Sequence, residues 1–335
     1  MGRLIAVRPL WAIEGGRVSL EGDGLPVDPD LPVVRVGGVP ARLAKASTTA
    51  LTLIVPEGLE GGQTAIRIDQ LAGETAYVEI GAPLAKGLHQ VDSPAYDRHG
   101  NLFVTFSGSR GQQAPVTIFV VRADGTREPF VSEVPNPTSL TFDREGQLFV
   151  SSRFDGSVYR VTADGRSTLY ASELGIACGL AFSPDGALFV GDRSGSILRV
   201  DDRGRTETFA TLPPSVAAFH LAFGPDGALY VTGPTLGPND GVYRITPDGH
   251  VSLWASGFGR PQGLAFDAAG QLYVVDALAG ASGLYRFRPA APGERELMLS
   301  GGSLIGLAFD PHGGVAIATT DSVYRLAVGI HGLLP

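Results

Sequence analysis

Three side chains of this sequence are of types that do chemistry together: His89, Asp92 and His220. Two imidazoles and a carboxylate suit a divalent transition metal, and they equally suit a general base held in place by a neighbour. Cys178, the single cysteine, is either a nucleophile activated by a nearby base or a small apolar residue packed in a narrow place. Arg153 and Arg193 could clamp a carboxylate or a sugar acid, or pair with Asp155 and Asp192. Asp92 has a plainer alternative role as the cap of a turn, because Asp readily bonds its own backbone. His99, His250 and His312 fall in or beside turn sequences and His331 in the tail, so these four read as solvated.

The chain carries its own frame for these residues. A phrase with the core F-D-x-x-G-x-L occurs six times, as AYDRHGNLFV, TFDREGQLFV, AFSPDGALFV, AFGPDGALYV, AFDAAGQLYV and AFDPHGGVAI. Its first Asp column holds Asp97, Asp143, Ser183, Gly224, Asp267 and Asp310, which are 40 to 46 residues apart. That period, with short alternating apolar runs and Asp-Gly turns, is the signature of a four-stranded propeller blade. In the third repeat GLAFS, ALFVGD, SILRV and TETFAT read as the strands from innermost to outermost. A single blade cannot bury both faces, so six close into a ring. The sixth repeat lacks a fourth strand, and PLAKGLHQ at 83–90 is expected to pair with the strand around Val323 to Leu326 and latch the ring.

Chain direction then places the candidates. The residues just before the six innermost strands, Asp92, Thr138, Cys178, Phe219, Gln262 and Ile305, should ring one mouth of the channel, here termed the upper face. Asp92 and His220 are the catalytic candidates. Thr138, Arg153, Cys178, Arg193, Phe219 and Gln262 are the substrate-binding candidates. Asp92, His89, His220 and Gln262 are the metal ligands considered. The first and fourth repeats face each other across the ring, which opposes joint ligation by His89 and His220. Long loops at 106–115, 232–241 and 275–283 project from the same face and would wall a pocket there.

Bulk properties narrow the function classes. The 335 residues are 44% hydrophobic and 18% charged, enough for a sizeable core, and the net charge of −8 without a basic run argues against nucleic acid or anionic membranes as partners. One cysteine allows no internal disulfide. The start, MGRLIAVRPLWAIEGG, has too short an apolar run for a signal peptide, so a cytoplasmic protein is expected as written, and an extracytoplasmic one if a leader has been removed. Residues 1–82 lack the period and read instead as a small immunoglobulin-like β-sandwich, punctuated by Gly15-Gly16, GDG at 22–24, VGGVPA at 36–41 and VPEGLEGG at 55–62.

On those glycine-rich stretches the first 82 residues resemble an IPT/TIG domain, which implies a module that positions its neighbour or binds a protein partner. Residues 83–335 resemble the NHL-repeat propellers and the SMP-30/gluconolactonase family. The fold class is therefore all-β, a six-bladed β-propeller preceded by an immunoglobulin-like sandwich. The second resemblance implies a lactonase-like hydrolase acting on a small lactone or ester, with one divalent cation (calcium, magnesium, manganese or zinc) held at the channel mouth. In that family a glutamate, an asparagine and an aspartate supply the oxygen ligands. Asp92 stands at the glutamate's place, one carbon shorter, while Phe219 and Gln262 stand where the other two are looked for. Phe219 cannot ligate, and the Gln262 amide is a neutral donor. The competing expectation is a non-catalytic propeller that binds a sugar, peptide or protein.

Overall fold

The computed structural model describes residues 2–71, 73–106, 114–122, 124–235, 237, 239–277, 281–288 and 291–333. Among them every regular element is a β-strand. Five units are separate four-stranded antiparallel sheets. The second repeat forms one from Pro137–Phe142, Leu148–Ser152, Ser157–Val161 and Ser167–Ala171, and the first, third and fourth follow the same plan. The sixth repeat supplies Leu304–Phe309, Gly314–Thr319 and Val323–Ala327, and its outermost strand is Ala82–Ala85, with Val323 opposite Ala85 and Tyr324 opposite Pro83. Beyond Ala85 the expected latch strand leaves the sheet.

The fifth repeat differs from the expected free-standing unit. Its strands, Pro261–Phe266, Leu272–Asp276, Gly283–Arg288 and Ala291–Ser300, end a twelve-stranded sheet that continues into the N-terminal region. The link is a two-residue strand, Trp11–Ala12, parallel to Leu299–Ser300 on one side and to Glu79–Ile80 on the other. Ile13 follows it into the propeller and is fully buried among Leu284, Leu299, Leu304 and Tyr324. Gly16 allows the approach, since a Cβ there would lie 2.4 Å from the Ser300 carbonyl oxygen. The other N-terminal strands pack around Val18, Leu20, Val34, Leu51, Leu53 and Ile66.

The repeated phrase has a physical reason at each conserved column. Its Asp accepts backbone N–H groups across the turn: Asp267 takes Ala269 N at 3.0 Å and Gln271 N at 2.8 Å. In the fourth repeat Gly224 has no side chain, and Asp226 receives Ala228 N instead. The turn glycine adopts a left-handed backbone, as at Gly146 with φ 81°. The two aromatic columns join neighbouring repeats. The second-strand aromatic of one meets the innermost-strand phenylalanine of the next edge to face: Phe103 with Phe142, Phe149 with Phe182, Phe189 with Phe223, Tyr230 with Phe266 and Tyr273 with Phe309, all with centroids 4.9 to 5.2 Å apart.

Two truncations follow from these contacts. Phe189→Ala should cost ~3–5 kcal/mol and Ile13→Ala ~2–5 kcal/mol in urea unfolding. An Ile13→Ala loss below ~1 kcal/mol would mean that the N-terminal segment adds little to the propeller core.

Candidate active site

The segment leading into the first repeat alternates. Leu88, Gln90 and Asp92 are buried, whereas His89 is exposed and Val91 and Ser93 are half-buried. This period of two aims Asp92 inward and His89 outward. His89 is therefore not brought to the other candidates, which removes it from the proposed ligand set.

His220 opens the innermost strand of the fourth repeat and is 2% exposed. Its Nδ1 is hydrogen-bonded to Asp92 Oδ1, and its Nε2 lies 3.1 Å from Gln262 Oε1. Asp92 Oδ1 also accepts the Ser93 N–H at 2.5 Å, so the capping role and the pairing with histidine coexist. Gln262 is anchored in turn, its carbonyl accepting the Thr232 hydroxyl at 2.5 Å. The first, fourth and fifth repeats thus meet at one imidazole. The Gln262 amide sets the roles of the ring nitrogens: with its oxygen toward Nε2 that nitrogen donates, and with its NH2 there Nε2 accepts while Nδ1 donates to Asp92. In the second arrangement a single proton, on Nδ1, satisfies the whole chain.

Register explains why His220 faces the channel and Phe219 does not. The innermost strands of the second, third, fifth and sixth repeats carry a bulge at their upper ends, between Pro137 and Leu140, Ala177 and Leu180, Pro261 and Leu264, and Leu304 and Gly306. The fourth pairs regularly, His220 with Thr232 and Leu221 with Val231. Phe219 goes into the core, against Gly191 and Gly233, and lines no cavity that reaches Asp92. Aligned on the phrase, the column of His220 reads Ser93, Ser139, Gly179, His220, Gly263 and Gly306. This column is tight at the axis, since a Cβ on Gly306 would lie 2.4 Å from Ser93 Oγ. Small residues in five repeats make room for one ring from the sixth member. Ser93 and Ser139 stand one residue beyond the strand-head column, where the sequence carries no signal for them.

The remaining candidates take structural positions. Thr138 is buried, with its hydroxyl turned to the Asn136 carbonyl. Cys178 is buried, and desolvation pushes its thiol up to about 12, with the Asp92 charge adding and those of Arg193 and Arg153 opposing. Arg153 and Arg193 are half-buried, and Arg193 donates to the Val216 carbonyl at 2.8 Å. Asp192 accepts Ile176 N and the Ser194 hydroxyl, and Asp276 accepts Gly259 N and Arg260 N, so both cap turns. Of the three long loops, residues 107–113, 236, 238 and 278–280 lie outside the described residues.

A divalent cation, as the family resemblance implies, does not fit this arrangement. Asp92 Oδ1 and both nitrogens of His220 are engaged with protein partners, Phe219 offers no donor, and Gln262 Oε1 faces the imidazole. Among the described residues no three His, Cys, Asp or Glu side chains converge to hold an ion.

A cavity of about 480 Å³ reaches the pair. Asp92, Ser93, Ser139 and His220 line its inner end, and it runs down the innermost strands to Arg144, Pro184 and Pro225 in the hairpin turns. It opens on the turn face, opposite the face on which the mouth was expected.

No protein-family model matches this sequence, and no curated protein matches it. Solved structures do resemble it. A gluconolactonase-like propeller is 18% identical, covering 76% of this chain and 94% of its own, with a TM-score of 0.63. A gluconolactonase from Xanthomonas campestris is 18% identical, covering 73% and 88%, with a TM-score of 0.60. An auxiliary nutrient binding protein from Bacteroides ovatus is 14% identical, covering 97% of each chain, with a TM-score of 0.55. At these identities the likeness is one of fold: the chain is an all-β protein with a β-propeller.

Two measurements check the site. Cys178 should resist maleimide in native protein at neutral to mildly alkaline pH and react fully in urea, and fast native labelling would contradict its burial. After dialysis against calcium, magnesium, manganese and zinc, elemental analysis should return no stoichiometric ion that Asp92→Ala loses.

Proposed function

We propose that the propeller is a hydrolase for a small lactone or ester, with Asp92 and His220 as its acid–base pair. The single observation that carries this reading is a buried carboxylate bonded to a histidine at the inner end of a cavity open to solvent. Asp92 holds Nδ1–H, and once the Gln262 side chain swings aside Nε2 accepts a proton from a water whose oxygen adds to the carbonyl carbon. The hydroxyls of Ser93 and Ser139 line the same end and can donate to the developing oxyanion, because their oxygens already accept the N–H groups of Leu307 and Leu180. Collapse of the tetrahedral species breaks the acyl C–O bond. The imidazolium returns its proton to the leaving alkoxide, giving an acid and an alcohol, which in a lactone are one hydroxy acid. The gluconolactonase among the fold relatives supports this class of reaction without fixing the substrate.

In this reading the fifth repeat is the remaining blade of a six-bladed ring, and residues 1–82 are an IPT/TIG-like domain that holds it in place or carries a protein contact. The competing reading is a non-catalytic propeller binding a sugar, peptide or protein. The observation favouring it is the Gln262 amide, which closes off the imidazole nitrogen that catalysis needs free.

The two readings separate in one assay. Hydrolysis of p-nitrophenyl acetate and simple lactones, followed in a pH-stat, should fall on the order of 10²- to 10⁴-fold in His220→Gln and in Asp92→Asn, with the fold checked by circular dichroism. Equal rates in wild type and variants would sink the hydrolase reading.

A further inference from the structure

The third strands carry a column of side chains that the Asp92–His220 pair does not use. It holds Val120, Arg160, Arg199, Arg244, Arg286 and Arg325, paired in register with Phe103, Phe149, Phe189, Tyr230, Tyr273 and Ala316 of the second strands. Residues directly opposite each other on paired strands share a face. The aromatic members of the second-strand set meet the next repeat, so each third-strand side chain lies in the crevice between its own repeat and the one that follows. Four of the arginines end on carboxylates: Arg199 on Asp185 and Glu207 at 3.6 and 3.4 Å, Arg244 on Asp226 and Arg325 on Asp310 at 2.8 Å, and Arg286 on Glu296. The first repeat alone has valine in this column.

In other respects the first repeat is built there like the fifth. Glu128 stands opposite Val120 as Glu296 stands opposite Arg286. Arg122 and Arg288 follow two residues later, and Asp97 and Asp267 cap the two turns alike. Where the fifth repeat places the Arg286 stem and guanidinium, the first leaves space. A cavity of about 990 Å³ lies there between the first and second repeats, bordered by Val120, Asp97 and Glu128.

The charges around that space suit a cation. Arg122 donates to Glu128 at 3.2 and 2.6 Å, both times to Oε2, and to Asn101 Oδ1 at 2.7 Å, so Glu128 Oε1 remains for a further donor. Asp143 and Glu145 bring carboxylates from the second repeat. Arg98 and Arg144 also border the cavity, and each spends a guanidinium N–H on a backbone carbonyl of the following repeat, that of Glu145 and that of Pro184. Arg160 shares the face of Phe149 and turns to the third repeat, while His99 and His331 are exposed. Arg286 and Arg288 coexist in the fifth repeat, so Arg122 does not forbid a guanidinium beside Val120.

We propose that this crevice binds the alkylguanidinium group of a ligand, in the place that Arg286 fills within the fifth repeat. A guanidinium is favoured over an ammonium because its planar fork meets a carboxylate and a second acceptor together. The site stands apart from the hydrolase reading, and its test uses no turnover.

The probe is n-propylguanidinium, the arginine side chain without its backbone, followed by saturation-transfer NMR. Wild-type protein should bind it in the millimolar range, bind n-propylammonium more weakly and leave propionate unbound. Val120→Arg, which puts the chain's own guanidinium in the crevice, should abolish binding with the circular dichroism unchanged. Glu128→Gln should weaken it about tenfold, and it decides alone if Val120→Arg misfolds. Binding unchanged in either folded variant, no binding to wild type, or a preference for propionate would each overturn the site. N-acetylarginine amide separates the sources of the group. Its equal binding would assign the guanidinium to a peptide and its exclusion to a free guanidine, and either result keeps the inference.

Discussion

The edge-to-face contact between a second-strand aromatic of one repeat and an innermost-strand phenylalanine of the next is the constraint on which the rest of the structure depends. A twisted four-stranded sheet has two apolar faces and no partner within its own repeat. The five contacts at about 5 Å give each sheet a neighbour at a fixed distance and angle. At the joint between the sixth repeat and the first, Ala316 holds the second-strand place and packs in one cluster with Tyr96. There the strand Ala82–Ala85 adds backbone hydrogen bonds from the far end of the repeat region. The chain closes covalently distant parts where its aromatic pairing is weakest.

Fixing the sheets at that spacing also fixes what can stand on the axis. The approach of Ser93, Gly263 and Gly306 leaves no space for a Cβ on either glycine. One long side chain can then cross the channel, and His220 does so. Its two ring nitrogens reach Asp92 in the facing first repeat and Gln262 in the neighbouring fifth because the column around it is small. The pair is thus a product of packing first and of chemistry second. Burial raises the electrostatic stakes, since an unpaired carboxylate at Asp92 would be costly in so enclosed a place.

Much of this was legible in the sequence, because a period-40 phrase with fixed Asp, Gly and aromatic columns has few other physical explanations. Asp92, His220 and Gln262 were also recognisable, as polar groups standing at the heads of innermost strands. What could not be read was register. Phe219 and His220 are adjacent, and the missing bulge in the fourth repeat decides which faces the channel. The outward turn of His89 depends on a short alternation that begins only at Leu88. The strand Trp11–Ala12 is too short to have a period, so the joining of the first region to the fifth repeat had no signal beyond Gly15-Gly16.

A shared fold need not carry shared chemistry here. A bound cation needs donors that converge and remain free of one another. Asp92 and His220 satisfy each other directly, with Gln262 on the far side of the ring. An imidazole in a column of serines and glycines links a carboxylate and an amide into one hydrogen-bonded chain. That chain joins three repeats and leaves a carboxylate and an imidazole at the inner end of a cavity. The propeller specifies where such a pair can stand, and the identity of two residues among the twelve positions of two columns decides what kind of pair it is.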